Sequence, residues 1–182
     1  KASRITSKDV CCVYGAGPIG LYAVQLIRLR GVKTVICLDT DAGAQRLELA
    51  KTLGADYTIN VSREDPVQRV REITNDYVQD CVGAPTVPVT AMNLLKKAGT
   101  YAITGLYHTL PQVDLGKVVR SEIDIYGTIC YTRQEFEECL HFIEDGRVKV
   151  DPLITHHFPL REMEQAFAIT QAKQSIKIIL NP

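Results

Sequence analysis

The stretch Val10-Cys11-Cys12-Val13-Tyr14-Gly15-Ala16-Gly17-Pro18-Ile19-Gly20 decides how this chain is read. The apolar run Val10–Val13 reads as a strand. Glycines follow at G-x-G-x-x-G spacing, and Pro18 to Arg30 carries apolar residues at helical spacing. Gly15 permits a tight turn, Gly17 lets the backbone approach a pyrophosphate, and Gly20 lets the helix pack closely on the strand. The helix N-terminus then offers free N–H groups and the positive end of its dipole to phosphates. A second apolar run, Val35-Ile36-Cys37-Leu38, ends at Asp39, 19 residues after Gly20. Strand, Gly-rich turn, helix, strand and terminal acid make up a dinucleotide-binding fingerprint. A tight strand–helix turn without a ligand would need only part of that context.

Strand and helix signals keep alternating. Thr34–Asp39 is the second strand, and its continuous apolar character fits a strand covered on both faces. A helix over Ala44–Leu53 stops at Gly54, and Tyr57–Asn60 is a third strand. Asp65-Pro66-Val67-Gln68 reads as a capped helix start. Asn75-Asp76 forms a short turn into a fourth strand, Tyr77–Val82. Gln79 within it needs partners if buried, or costs about 1–3 kcal/mol. A helix over Val87–Lys97, a strand over Thr100–Leu106, a short edge segment Gln112–Leu115 and a strand over Asp124–Ile129 follow. Thr132-Arg133-Gln134-Glu135 is a capping box, and Gly146 ends its helix. The tail reads as extended Leu153–Phe158, a helix from about Leu160 to Thr170, and a last strand Ile176–Leu180. Strands joined by helical crossovers predict an α/β Rossmann fold: a doubly wound, six-stranded parallel sheet in the order 3-2-1-4-5-6. Ligand is expected at the carboxyl ends of strands 1 and 4, where the order reverses. Residues 1–130 form the expected core and 131–182 a helix–strand return segment.

Bulk properties narrow the function classes. The chain has 182 residues, 46% of them hydrophobic, and its 21 basic and 21 acidic side chains cancel. No basic stripe points to nucleic acid or an anionic membrane surface, and no apolar run has the length of a membrane span. The 6 cysteines lack C-x-x-C or zinc-finger spacing. They read as buried free thiols in a reducing cytosol, so a cytoplasmic location is expected. Among the histidines, His141 reads as solvated surface and His156 as a structural hydrogen-bonding residue. His108 lies in a loop near the ligand end, where a substrate-side role competes with plain exposure. Tyr107 and Tyr131 either border the ligand pocket or pack their loops.

From about Asp9 to Leu180 the chain resembles the coenzyme-binding domain and C-terminal end of zinc-dependent medium-chain alcohol and polyol dehydrogenases. The matching stretches include Gly15-Ala16-Gly17-Pro18-Ile19-Gly20-Leu21, Leu47-Glu48-Leu49-Ala50-Lys51-Thr52-Leu53-Gly54-Ala55-Asp56, Cys81-Val82-Gly83-Ala84 and Asp151-Pro152-Leu153-Ile154-Thr155-His156. The resemblance implies NAD as cofactor, with hydride passed between an alcohol carbon and the nicotinamide in the intact enzyme. It implies a zinc ion whose ligands belong to an N-terminal lobe not found in this sequence, so no catalytic or metal-ligating residue is named. It also implies roles for individual residues. Gly15, Gly17, Pro18 and Gly20 would take the phosphates and Asp39 the adenosine ribose. Arg46 would flank the adenine. Ile19 would pack behind the nicotinamide and Val82 would line the cleft. Backbone groups of Thr104, Thr128 and Cys130 would hold the carboxamide beside Gly105 and Leu106. Lys177 would meet the pyrophosphate. Counting back from Gly54 in the family's spacing lands on Asp41, whereas counting forward from Gly20 lands on Asp39. Two extra residues therefore fall within 40–44. A homo-oligomer paired through the sheet edge near strand 6 is expected. Three other readings compete: a dinucleotide-sensing module without chemistry, the zinc-free, NADPH-using reductase branch of the same superfamily, and an S-adenosylmethionine methyltransferase, which the G-x-G-x-x-G helix and Lys177 fit less well. The tail from Asp151 argues against the first and Asp39 against the second.

Overall fold

The computed structural model describes residues 5–73 and 76–182, in two compact units divided between Arg133 and Gln134. The first unit is built on β1 (Val10–Tyr14), β2 (Thr34–Asp39), β3 (Tyr57–Asn60), β4 (Tyr77–Asp80), β5 (Thr100–Ile103) and β6 (Asp124–Gly127). They form one 6-stranded sheet in the order β3-β2-β1-β4-β5-β6, with every neighbouring pair parallel. The crossovers carry α1 (Pro18–Leu29), α2 (Ala44–Thr52), α3 (Pro66–Arg71), α4 (Val87–Leu94) and α5 (Leu115–Arg120). This is the expected doubly wound sheet, and its cause is visible in the strands. Cys11, Cys12 and Val13 in β1 and Val35 through Leu38 in β2 are completely buried, so both faces of the central strands need covering. On one face Cys12, Ile36, Leu38, Val78 and Tyr101 pack with Val70, Ala91, Met92 and Leu94 from the helices.

Local chemistry sets the element ends. The Asp65 carboxylate accepts from the amides of Val67 and Gln68 at 2.8 and 3.3 Å, with Pro66 opening α3. β4 stops at Asp80 rather than Val82, because the Asp80 side chain captures the next free amides. β5 stops at Ile103 rather than Leu106, because the amides of Thr104 and Gly105 turn back to the Asp80 carbonyl at 2.9 and 3.0 Å. β6 ends at Gly127 rather than Ile129, and α4 ends at Leu94 when Leu95 becomes extended. The expected edge segment Gln112–Leu115 is not a strand. Asp114 caps α5 by accepting from the Lys117 amide at 2.9 Å, and so turns the chain into a short helix. Asn75 lies outside the described residues. Its neighbour Asp76 accepts from the Val10 amide at 2.8 Å.

The second unit holds most of α6 (Arg133–Glu144), then β7 (Ile154–Pro159), α7 (Met163–Gln171) and β8 (Lys177–Asn181). β7 and β8 pair in parallel across α7. A short 3-10 turn, Leu160–Glu162, precedes α7, so the expected helix over Leu160–Thr170 starts later than read. Among the described residues no helix is long and apolar enough to cross a membrane.

Candidate functional site

The turn between β1 and α1 shows why two of its three glycines are needed. Gly15 has φ 103°, and a Cβ there would lie 2.6 Å from Cγ2 of Val82. A Cβ on Gly20 would overlap the Gly15 carbonyl oxygen. Gly17 differs: a Cβ there would meet nothing within 4 Å. Packing therefore does not explain Gly17, whereas a ligand backbone passing over that open ledge would. Gly17 also stands at the N-cap of α1, where no side chain caps the helix and the first turn carries no acid. The amides and dipole end there are available to an anion.

The acid of the fingerprint sits where the forward count put it. Asp39 ends β2, and its carboxylate accepts from the Ala16 amide at 3.0 Å, within the Gly-rich turn. Arg46 reaches the same oxygen at 3.4 Å, and its Nε is buried without a partner. Asp41 is occupied elsewhere. Asn60 Nδ2 and Arg63 Nε both donate to it at 2.7 Å, and these bonds hold its carboxyl below the usual carboxylate range. The extra residues close into a 3-10 turn, Asp41–Gly43, before α2 begins. Arg46 is thereby returned to the Asp39 side. A Cβ at position 43 would strike the Asp39 carboxylate, so a larger residue there would displace it.

The opposite rim is made by the loops after β4, β5 and β6. Val82 and Leu106 stand exposed there, as Ile19 does on α1. Backbones in this region touch almost directly: a Cβ on Gly105 would collide with the Gly83 amide nitrogen, and one on Gly83 with the Leu106 carbonyl. Gln79 finds the partners it needs. Its Nε2 donates to Thr104 Oγ1 at 2.6 Å, and Thr104 Oγ1 meets Thr128 Oγ1 at 2.8 Å. These bonds tie β4, β5 and β6 together at the ligand end.

Sequence reasoning singles out Tyr107 here but not Asp80 or Tyr101. Asp80 is fully buried, and its carboxylate accepts from the amides of Val82 at 2.8 Å and Gly83 at 3.1 Å. It also accepts from the Tyr101 hydroxyl at 2.7 Å and from the Tyr107 hydroxyl. Burial and the contact with Asp80 push both phenol pKa values well above the ordinary tyrosine range, so both hydroxyls keep their protons. The available signal was an acid in an apolar strand, at the same relative place as Asp39 in β2.

The remaining expected residues are not all joined to this constellation. Cys130 lies beyond β6 with φ 50° and is exposed, as is Cys139 on α6, so the reading of every cysteine as buried is corrected. Lys177 opens β8 in the second unit and is exposed. His141 meets Glu144 at 3.3 Å on an exposed helix face, and His156 meets Thr155 Oγ1 at 2.9 Å. His108 is exposed. Among the described residues, no group of His, Cys, Asp and Glu side chains could hold a metal ion. The described residues by themselves do not fit a catalytic zinc.

Residues 18–145 match the family model described as zinc-binding dehydrogenase. A sorbitol dehydrogenase from Halalkalibacterium halodurans is 31% identical over 99% of this chain and 54% of its own length. An L-idonate 5-dehydrogenase from Vitis vinifera is 34% identical over 93% of this chain and 48% of its own. A crystal structure of an Escherichia coli alcohol dehydrogenase complexed with NADH matches with TM-score 0.89 and 27% identity, covering 100% of this chain and 54% of that one. The chain spans about half the length of the curated relatives it matches.

Proposed function

Because the chain belongs to the zinc-binding dehydrogenase family, we propose that it is the NAD(H)-holding part of an alcohol or polyol dehydrogenase. The observation that carries this reading is the open ledge at Gly17, set between the uncapped N-terminus of α1 and the Asp39 carboxylate. When bound, NAD supplies the hydride acceptor for oxidation of an alcohol carbon. This chain's own groups bind and orient. Amides after Gly17 take the pyrophosphate, and Pro18 presets the first helical residue. Asp39 accepts from the adenosine ribose, with Arg46 over the adenine. Ile19, Val82 and Leu106 give an apolar wall on the nicotinamide side. Backbone groups of Thr104, Thr128 and Cys130, beside Gly105, fix the carboxamide.

Calorimetric titration with NAD+ and NADP+ tests the reading. Asp39 faces the ribose, and a 2′-phosphate placed about 4 Å from it would meet repulsion of about 4 kcal/mol at an effective dielectric of 20, before relaxation. The expected outcome is binding of NAD+ at least tenfold tighter than NADP+. One observation favours the alternative cofactor: Arg46 lies 3.4 Å from Asp39 and can offer a cation to a 2′-phosphate. Equal or reversed affinities would give the ribose end to Arg46.

The assembly reading moves with the fold. With Gln112–Leu115 outside the sheet, β6 is the terminal strand on that side, and Leu115 and Val119 of α5 are exposed. A terminal strand and exposed apolar side chains suit a two-fold partner. Sedimentation at micromolar concentration is expected to give a dimer, and a monomer at high concentration would refute it.

A further inference from the structure

Asp80 holds more of the nicotinamide rim than any residue the fingerprint names. Its carbonyl accepts from the amides of Thr104 at 2.9 Å and Gly105 at 3.0 Å. Its carboxylate accepts from the amides of Val82 and Gly83 and from the hydroxyls of Tyr101 and Tyr107. One residue at the end of β4 thus fixes two separate loops. The loop after β4 is held through its amides. The loop after β5 is held at its start by the Asp80 carbonyl and again at Tyr107 by the carboxylate. Between those two attachments lie Gly105 and Leu106, pressed against Gly83.

The arrangement is demanding. A carboxylate without solvent access needs its oxygens filled by donors, because burying it unpaired is costly. Here the donors are distributed over exactly those loops whose positions decide the width of the cleft beside the nicotinamide. Tyr107 is the adjustable member. Tyr101 is 1% exposed and anchored within β5, whereas Tyr107 is half-buried and belongs to the loop itself. Its hydroxyl also lies 2.9 Å from that of Tyr101.

We propose that Asp80 and Tyr107 form a clamp that positions the loop Gly105–Tyr107 against Val82, and so sets affinity for the nicotinamide half of the dinucleotide. This inference rests on the dinucleotide-binding reading above. Asp80 and Tyr107 act as positioning residues: they shape the rim through Val82, Gly83, Gly105 and Leu106, and the adenine half of the site contains neither of them.

The test compares NADH with ADP-ribose, which keeps the adenine, both phosphates and both riboses but lacks the nicotinamide. Tyr107→Phe removes one hydroxyl from a half-buried ring and leaves the ring's packing in place. The expected result is NADH affinity lowered about fivefold with ADP-ribose affinity changed less than twofold. Tyr101→Phe serves as the second variant, since it removes a bond to the same carboxylate from within the strand. It is expected to lower the melting temperature while changing the NADH-to-ADP-ribose ratio less than Tyr107→Phe does. Equal losses for both ligands in Tyr107→Phe, or no loss for either, would overturn the clamp. If the unaltered chain binds neither ligand, the dinucleotide reading itself falls, and the clamp with it. Binding of ADP-ribose without sensitivity of NADH to position 107 would overturn the clamp alone.

Discussion

The two halves of the rim at the carboxyl end of the sheet are built from different materials. On the β1–β2 side, main chain makes the surface: a glycine turn, a bare helix N-terminus, and one carboxylate, Asp39, within reach of the turn. On the β4–β5–β6 side, side chains make it. Asp80, Tyr101 and Tyr107 knit one pair of loops, while Gln79, Thr104 and Thr128 knit the strand ends. A main-chain surface depends on the absence of Cβ atoms at specified positions, so it is sensitive to added volume. A side-chain surface depends on hydrogen-bonded groups being present, so it is sensitive to their removal.

The largest effect should come from adding a methyl group to the first half. Gly20→Ala would drive a Cβ into the Gly15 carbonyl oxygen, which is backbone and has no rotamer to escape by. Overpacking of this kind costs about 1–3 kcal/mol and occasionally more. With rigid backbone on both sides, we expect at least the upper figure, read as a fall in the urea midpoint. Unchanged stability would mean that the turn is not as tight as described.

Next in size is the removal of a charge from the second half. Asp80→Asn keeps the shape but places an amide NH2 among donors. Charged hydrogen bonds are worth about 1.5–3 kcal/mol, and a buried donor left unsatisfied costs about 1–3 kcal/mol. A loss of about 3 kcal/mol is expected from denaturant unfolding. A loss below about 1 kcal/mol would show that the carboxylate is not the hub.

Alkaline pH weakens the layer beneath both halves. Burial, helped by Asp9 and Asp76, pushes the Cys11 thiol up to about 12, and burial beside Asp80 does the same for Cys81. Their ordinary value is 9.0. Between those values the unfolded chain releases the proton and the folded chain keeps it, so stability falls as pH rises from about 9 toward 12. By pH 10.5 each such thiol should cost about 2 kcal/mol. Unfolding curves at pH 8 and 10.5 check this, and a flat profile would contradict it. The same burial predicts that Cys130 and Cys139 react with a thiol reagent in the native state, while Cys11, Cys12 and Cys37 wait for unfolding.

The smallest stability effect belongs to the ledge. Gly17 has an ordinary φ of −71° and open space around it. Gly17→Ala should therefore change stability by less than about 0.5 kcal/mol, as a helix N-cap exchange without contacts. NADH affinity should nevertheless fall severalfold, because the methyl group would occupy the proposed path of the pyrophosphate. Unchanged affinity would remove the ledge from the binding site.

That contrast also explains what could be read from the chain beforehand. The sheet order, α1 and Asp39 were legible because they rest on local rules: apolar runs, Pro18 at a helix start, glycine spacing. The extra residues after Asp39 became clear only when Asp41 was seen bound to Asn60 and Arg63, contacts that spacing does not encode. α5 was missed because six residues containing Gly116, Val118 and Val119 give little helical signal apart from the Asp114 cap. Asp80 was missed because its importance lies in contacts with Tyr101 and Tyr107, 21 and 27 residues away. The strand ends after β4 and β5 were overextended for the same reason, since Asp80 is what turns both chains aside.

The central claim is that one dinucleotide lies across both halves of this rim. The direct measurement is a titration of the isotope-labelled chain with NADH, followed through its backbone amide resonances. The account predicts the largest shifts at Ala16–Leu21 and Asp39–Ala44 on one side and at Val82–Gly83 and Gly105–Tyr107 on the other, saturating with one common dissociation constant. Shifts confined to other segments, or no saturable shifts at the Gly17 ledge, would contradict it.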